Sequence, residues 1–229
     1  VFMEKPVAVD PPGGRKIIAA GEIARQKGLS VVAGTQRRHQ APYLRIKHAI
    51  ERGAIGDIAG GAVWWCGGAL WYKTKDPHES DADYMVRNWV SFTEMSGDHI
   101  VEQHVHNLDV ANWYIGRTPT SALGFGGRAR RKTGDLFSID LDYGDGLRIH
   151  SMCRQINGTD GAVREFFRGT QGETWGGGGL KATKDVQVPE FEDRNPYVQE
   201  HVARLRSIME GIPINEAQNV ATSTLTAIM

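Results

Sequence analysis

The sequence is short of most features that mark a specialised class of protein. Two cysteines, Cys66 and Cys153, stand among 229 residues. They are too few for a disulfide scaffold and lack the paired spacing of a metal or redox motif. Both fall in apolar runs that read as strands, where a free thiol packs as a small hydrophobe. Net charge is missing too: 27 Lys and Arg balance 27 Asp and Glu, so nothing suggests a nucleic-acid or membrane partner. No apolar run approaches the ~18–20 residues of a membrane span. Neither His-Glu-x-x-His nor Gly-x-Gly-x-x-Gly occurs in the chain, which removes the zincin helix and the phosphate-binding turn of a dinucleotide fold as readings. What is left is an ordinary globular composition, long enough to bury a sizeable core.

What is present changes grammar near residue 56. Val1–Pro6 reads as a short strand and Asp10–Gly14 as a turn. Arg15–Gln26 reads as a helix, with Ile17, Ile18, Ala20, Ile23 and Ala24 at helical spacing and Lys27-Gly28 closing it. Leu29–Gly34 is the next strand, Gln36–His39 follows its carboxyl end, and Pro42–Arg52 is a second helix. Strand–helix–strand–helix is the pattern of a parallel α/β sheet. Ligands of such sheets sit beyond the carboxyl ends of the strands, where Lys5 and Arg37–His39 lie.

Past Asp57 the pattern becomes that of an antiparallel sheet. Ile58–Cys66 is a strand, and Gly67–Phe92 a long link carrying an acidic patch and several aromatic residues. Leu136–Tyr143 and Leu147–Ile156 form a hairpin about Asp145-Gly146, with Phe137, Ile139, Leu141 and Tyr143 on one face. Val163–Arg168 and Thr174–Trp175 are further strands, and helices are expected over Pro196–Glu210 and Glu216–Met229. The fold class is therefore α/β plus α+β. Residues 1–56 close a parallel sheet, and residues 57–229 form an open, mainly antiparallel sheet backed by helices. The chain starts inside a strand pattern and stops inside a helical one, so it reads as a piece of a longer protein.

The chemistry concentrates in Ser96–Gly116. Read as one helix at about 100° per residue, this stretch places Asp98, Glu102, His106, Asp109 and Trp113 in a band roughly 80° wide. Ile100, Val101, Val105, Leu108, Ala111 and Ile115 fill the opposite arc. His104 points into the apolar arc, as a core histidine. A metal reading of His99, Glu102, His104 and His106 fails on distance, because about 10.5 Å of helical rise separates His99 from His106. No metal site is assigned.

Glu4-Lys5-Pro6 at the end of an α/β strand, followed about 100 residues later by His106-Asn107-Leu108-Asp109, resembles the glucose–fructose oxidoreductase, inositol dehydrogenase and rhizopine-catabolism oxidoreductase family. Ala49–Ile58 resembles that family's crossing between domains, and Phe167–Gly172 resembles its strand-edge Gly-Thr-x-Gly. The resemblance implies that residues 1–56 are the end of a Rossmann-type dinucleotide-binding domain. It also implies that residues 57–229 form the substrate-binding domain, with homo-oligomers built through the open sheet. The implied cofactor is NAD or NADP, and the implied substrate a sugar or polyol. Lys5 would meet the nicotinamide ribose and the reacting hydroxyl, with Glu4 and Pro6 beside it, and His106 would take the hydroxyl proton. Glu102 stands where the family usually has aspartate, and could orient His106 from one turn away.

Remaining candidates are Arg37 and Arg38 for the cofactor, and Asp109, Arg87, Asn88, Trp89 and His39 for the substrate. Without a phosphate-binding turn, these 229 residues alone are expected to bind dinucleotide poorly. Gly176–Gly179 reads as a flexible loop. Two other functions stay open, a redox-neutral NAD-cycling glycosidase, lyase or epimerase, and a non-catalytic binding or assembly module. Compartment is open as well: cytoplasmic by default, or periplasmic if an export signal precedes Val1.

Overall fold

The structure, a computed structural model, describes residues 1–128 and 136–229. It opens with β1 (Phe2–Met3), α1 (Pro11–Gln26) and β2 (Val32–Ala33), the two strands pairing in parallel with Phe2 opposite Val32. The expected strands thus shrink to two residues each. Helix α1 also starts earlier than the spacing predicts. Asp10 caps it, its carboxylate accepting the Gly13 amide at 2.7 Å. Pro11 and Pro12 fill first-turn positions, where a missing N–H has no helical acceptor to lose. The stretch read as a turn is the first helical turn.

A 3-10 turn at Gln36–His39 leads into α2 (Ala41–Glu51), which crosses to β3 (Ile58–Gly67). Then come α3 (Asp81–Arg87), α4 (Thr93–Ser96), α5 (His99–Glu102) and α6 (Val105–Ile115). Six strands follow: β4 (Ser121–Gly127), β5 (Leu136–Asp142), β6 (Arg148–Gln155), β7 (Ala162–Gly169), β8 (Gly172–Thr174) and β9 (Leu180–Ala182). The chain closes with α7 (Pro196–Met209) and α8 (Ala217–Ile228).

Seven strands form one mixed sheet in the order β4-β5-β6-β3-β7-β8-β9. All neighbours are antiparallel except the central pair β3 and β6, which run parallel. Helix α6 covers one face, and the main core lies between them: Val63, Leu108, Tyr114, Ile149 and Phe167 are all within it. The other face is open, with Leu123 and Phe125 of β4 among its most exposed side chains. Helix α8 ties this body to the N-terminal strands. Its Ala217 lies so close to Gly21 of α1 that a Cβ there would come within 2.4 Å. The backbone of Val31 is bracketed by Ile214 and Glu216.

Ser96–Gly116 is not a single helix. Gly97 and Asp98 both take positive φ, and α5 ends at Glu102. The His99 carbonyl then accepts from both Gln103 and His104, at 3.1 and 3.0 Å, before α6 resumes. This i→i+5 bond widens the turn and changes the angular relation of residues on either side. The polar band is not a solvated face either. Asp98, Glu102, His106 and Asp109 are all buried.

Candidate active site

Lys5 leaves the end of β1 and donates from Nζ to the backbone carbonyl of Glu102, the last residue of α5. The lysine is half-buried there. Burial lowers its pKa from 10.5, against the pull of Glu102 and Glu4, and the Arg37 charge lowers it further. The Glu102 side chain is 1% exposed, and its Oε1 has no partner among the described residues. Burial raises its carboxyl to about 7, with Lys5 opposing. Glu4 lies with its carboxylate against the backbone of Gly34. Pro6 follows through a cis peptide, half-buried.

His106 is buried at the start of α6, its ring stacked on Trp65 of β3 at 5.8 Å and 26°. Burial holds its pKa well below 6.5, reinforced by the charges of Lys5 and Arg37. The imidazole is therefore neutral at pH 7 and able to take a proton. Among the described residues no hydrogen bond or ion pair engages its ring. No hydrogen bond among the described residues joins Glu102 to it, and the widened turn at Gln103 and His104 alters the i, i+4 relation on which that expectation rests. His104 behaves as a core histidine, fully buried, with Nε2 2.8 Å from Ser151 Oγ. Burial takes its pKa down to about 3.

The neighbouring arginines are closed by carboxylates of the chain. Arg38 makes a two-pronged bond to Asp109 at 2.9 and 3.0 Å, and Ser223 of α8 donates to Asp109 at 2.7 Å. Arg37 pairs with Glu165 of β7 at 2.5 Å. His39 lies 3.2 Å from Glu216, whose other oxygen accepts the Ala33 amide. These residues surround α6 and join the N-terminal unit to the sheet, but their polar ends point at one another.

Arg87, Asn88 and Trp89 stand apart. Arg87 pairs with Glu79 within the exposed link, and Asn88 is fully buried, bracing Lys73 through its amide and carbonyl. Trp89 is exposed. None of the three makes a hydrogen bond, ion pair or ring contact with Lys5, Glu102 or His106. Conversely, Trp65, Tyr43, Asn107 and Glu165 crowd the site without having been singled out in the sequence. Alternation in β3 points Trp65 inward, yet a core tryptophan carries the same signal. Among the described residues, no three His, Cys, Asp or Glu side chains are arranged to hold a metal ion. None of the helices among those residues is long and apolar enough to cross a membrane.

Residues 43–174, more than half of the chain, match the model of the GFO/IDH/MocA C-terminal domain. The chain is 22% identical over 121 residues to an inositol 2-dehydrogenase of Rhizobium meliloti (strain 1021), covering 53% of this chain and 31% of that protein. It is 30% identical over 122 residues to the enzyme of the same name from Burkholderia ambifaria (strain MC40-6), covering 53% and 30%. The chain thus spans about a third of these two curated relatives. Myo-inositol 2-dehydrogenase from Lactobacillus plantarum superposes with a TM-score of 0.71 over 99% of this chain and 68% of that one, at 17% identity. That likeness carries the fold alone.

Proposed function

This chain belongs to the GFO/IDH/MocA family of oxidoreductases, and on that premise we propose that it is the substrate-facing part of an NAD(P)-dependent dehydrogenase of a sugar or cyclitol hydroxyl. The observation that carries this reading is the meeting of Lys5 with the turn just ahead of His106, across 97 residues of sequence. A buried neutral imidazole near a half-buried lysine, with Glu102 Oε1 unpartnered among the described residues, supports a proton-handling reading over a core one.

Glu4, Lys5 and Pro6 fit the nicotinamide end of the cofactor, because Lys5 is a half-buried ion at the carboxyl end of a parallel strand. The pyrophosphate turn has no counterpart in these 229 residues. NAD(P), when bound, supplies the acceptor for a hydride. The chain's own part is proton transfer: His106 takes the hydroxyl proton through a ring nitrogen as the C–H bond breaks and the C=O bond forms. Lys5 donates a hydrogen bond to the same oxygen. Glu102 holds Lys5 in place through its backbone carbonyl. Arg37 and Arg38 are held by Glu165 and Asp109, and His39 by Glu216, while Trp89 and Arg87 belong to the outer rim for the sugar and buried Asn88 braces the segment that carries them. The open sheet face bearing Leu123 and Phe125 is the surface for self-association.

The test is absorbance at 340 nm with the full-length protein, NAD+ or NADP+ and a panel of inositols and aldoses. Net NAD(P)H formation supports the dehydrogenase reading. Substrate consumption without it indicates redox-neutral chemistry, and unchanged function in His106→Ala removes the enzyme reading.

A further inference from the structure

Glu165 is a buried carboxylate that the proton transfer does not use. It is 1% exposed and stands on the inner face of β7, opposite Val63 of β3. Three side chains from three elements donate to it: Arg37 at 2.5 Å and Asn107 of α6 at 2.8 Å to Oε1, and Tyr43 of α2 at 3.1 Å to Oε2. The glycine run that reads as a flexible loop closes the fourth side. Gly176, at φ 57°, comes so near that a Cβ there would lie 2.2 Å from Oε2. Burial raises the Glu165 pKa, and the Arg37 charge pulls the other way.

The guanidinium held by this carboxylate lies over two rings, Tyr43 at 5.6 Å and Trp65 at 5.7 Å. Trp65 in turn stacks with His106. Arg37 is therefore fixed within two ring steps of the imidazole, and its charge bears on both His106 and Lys5. We propose that Glu165 is a positioning residue for the Lys5–His106 pair. It clamps Arg37 between Tyr43 and Trp65, so that the ring under His106 keeps one orientation and a fixed positive charge stands beside the pair. The proposal rests on the reading of His106 as the base. A solvated arginine could not do this, because a flexible side chain in water is screened and samples many rotamers. The paired, stacked geometry suits arginine and not lysine.

The experiment is a histidine-selective 1H–15N NMR titration of the full-length protein. Lys5, Arg37 and His104 are the charged and titratable groups bearing on His106. In Arg37→Gln the His106 midpoint rises by about half a unit to one unit, as removal of a charge roughly 10 Å away requires at an effective dielectric of about 20–40. Arg37→Lys keeps the charge and restores most of the midpoint. In Glu165→Gln the His106 ring protons lose the ring-current shift of the fixed Trp65, while the His104 resonances hold their positions as an internal control. Should Glu165→Gln fail to fold, Glu165→Asp, which keeps the charge but shortens its reach to Arg37, carries the same comparison, moving the His106 ring protons and leaving those of His104. Folded Arg37→Gln and Glu165→Gln proteins with the wild-type His106 midpoint and ring shifts would overturn the proposal. The titration reads no turnover, so it fails or holds independently of whether His106 proves to be the catalytic base.

Discussion

His104 and His106 stand two residues apart at the break before α6, and both are buried neutral rings, yet their surroundings differ in kind. His104 has its Nε2 on Ser151 and lies among core side chains. His106 lies on an aromatic ring, has no hydrogen-bond partner within the described chain, and feels the charges of Lys5 and Arg37. Burial alone therefore does not make a base. A fully buried ring with one nitrogen bonded to the protein, as in His104, whose Nδ1 has no partner among the described residues, is architecture, and one with neither nitrogen bonded and a lysine nearby is available to a substrate.

The largest effect expected from breaking this contrast is on rate. His106→Ala should lower kcat/KM by about 10²–10⁴-fold, the usual share of a positioned general base, with a loss of stability from the vacated ring site smaller than that of His104→Ala, which also gives up a hydrogen bond. Steady-state kinetics beside thermal unfolding checks both halves. His104→Ala should reverse the pattern. Loss of a fully buried ring and its bond to Ser151 should remove about 2–4 kcal/mol of stability. That corresponds to roughly 4–16 °C in Tm for a chain of this size, read by calorimetry.

Acidity gives the next contrast. Both imidazoles are held below the ordinary 6.5, so between the folded and unfolded values the unfolded chain binds protons that the folded chain does not. Their contribution is present above about 6.5 and is lost as pH falls, for His104 down to about 3. Glu102 runs the other way. Its carboxyl is raised from 4.5 to about 7, so its contribution is full below 4.5 and is lost as pH rises through 7. Glu102→Gln should abolish that alkaline loss, on the order of 2–3 kcal/mol, and leave the acid limb untouched. Urea midpoints at about pH 5 and pH 8 measure the difference. The smallest effect belongs to Arg38→Lys, which keeps the charge but loses one prong to Asp109, about 1 kcal/mol, with the His106 titration unmoved.

The parts of the fold written in local periodicity were legible. Helices α2, α7 and α8, strand β3 and the β5–β6 hairpin lie within a few residues of where their apolar spacing puts them. Strand β4 was missed because three glycines and two exposed apolar residues give it no inward alternation. The parallel pairing of β3 with β6 is a long-range choice that no local pattern encodes. Lys5, Glu102 and His106, the residues proposed to work in the site, were singled out through the family resemblance carried by Glu4-Lys5-Pro6 and His106–Asp109. The turn at Gln103–His104, which separates Glu102 from His106, was hidden by an unbroken helical pattern. Glu165 carries no local signal at all, since its meaning lies in partners more than 50 residues away.

If the open imidazole of His106 accepts the hydroxyl proton, as proposed, full-length His106→Ala should form almost no NAD(P)H without imidazole, and its rate should climb as imidazole is added, with no such response in His104→Ala. Near wild-type turnover in His106→Ala, the same with or without imidazole, would contradict it.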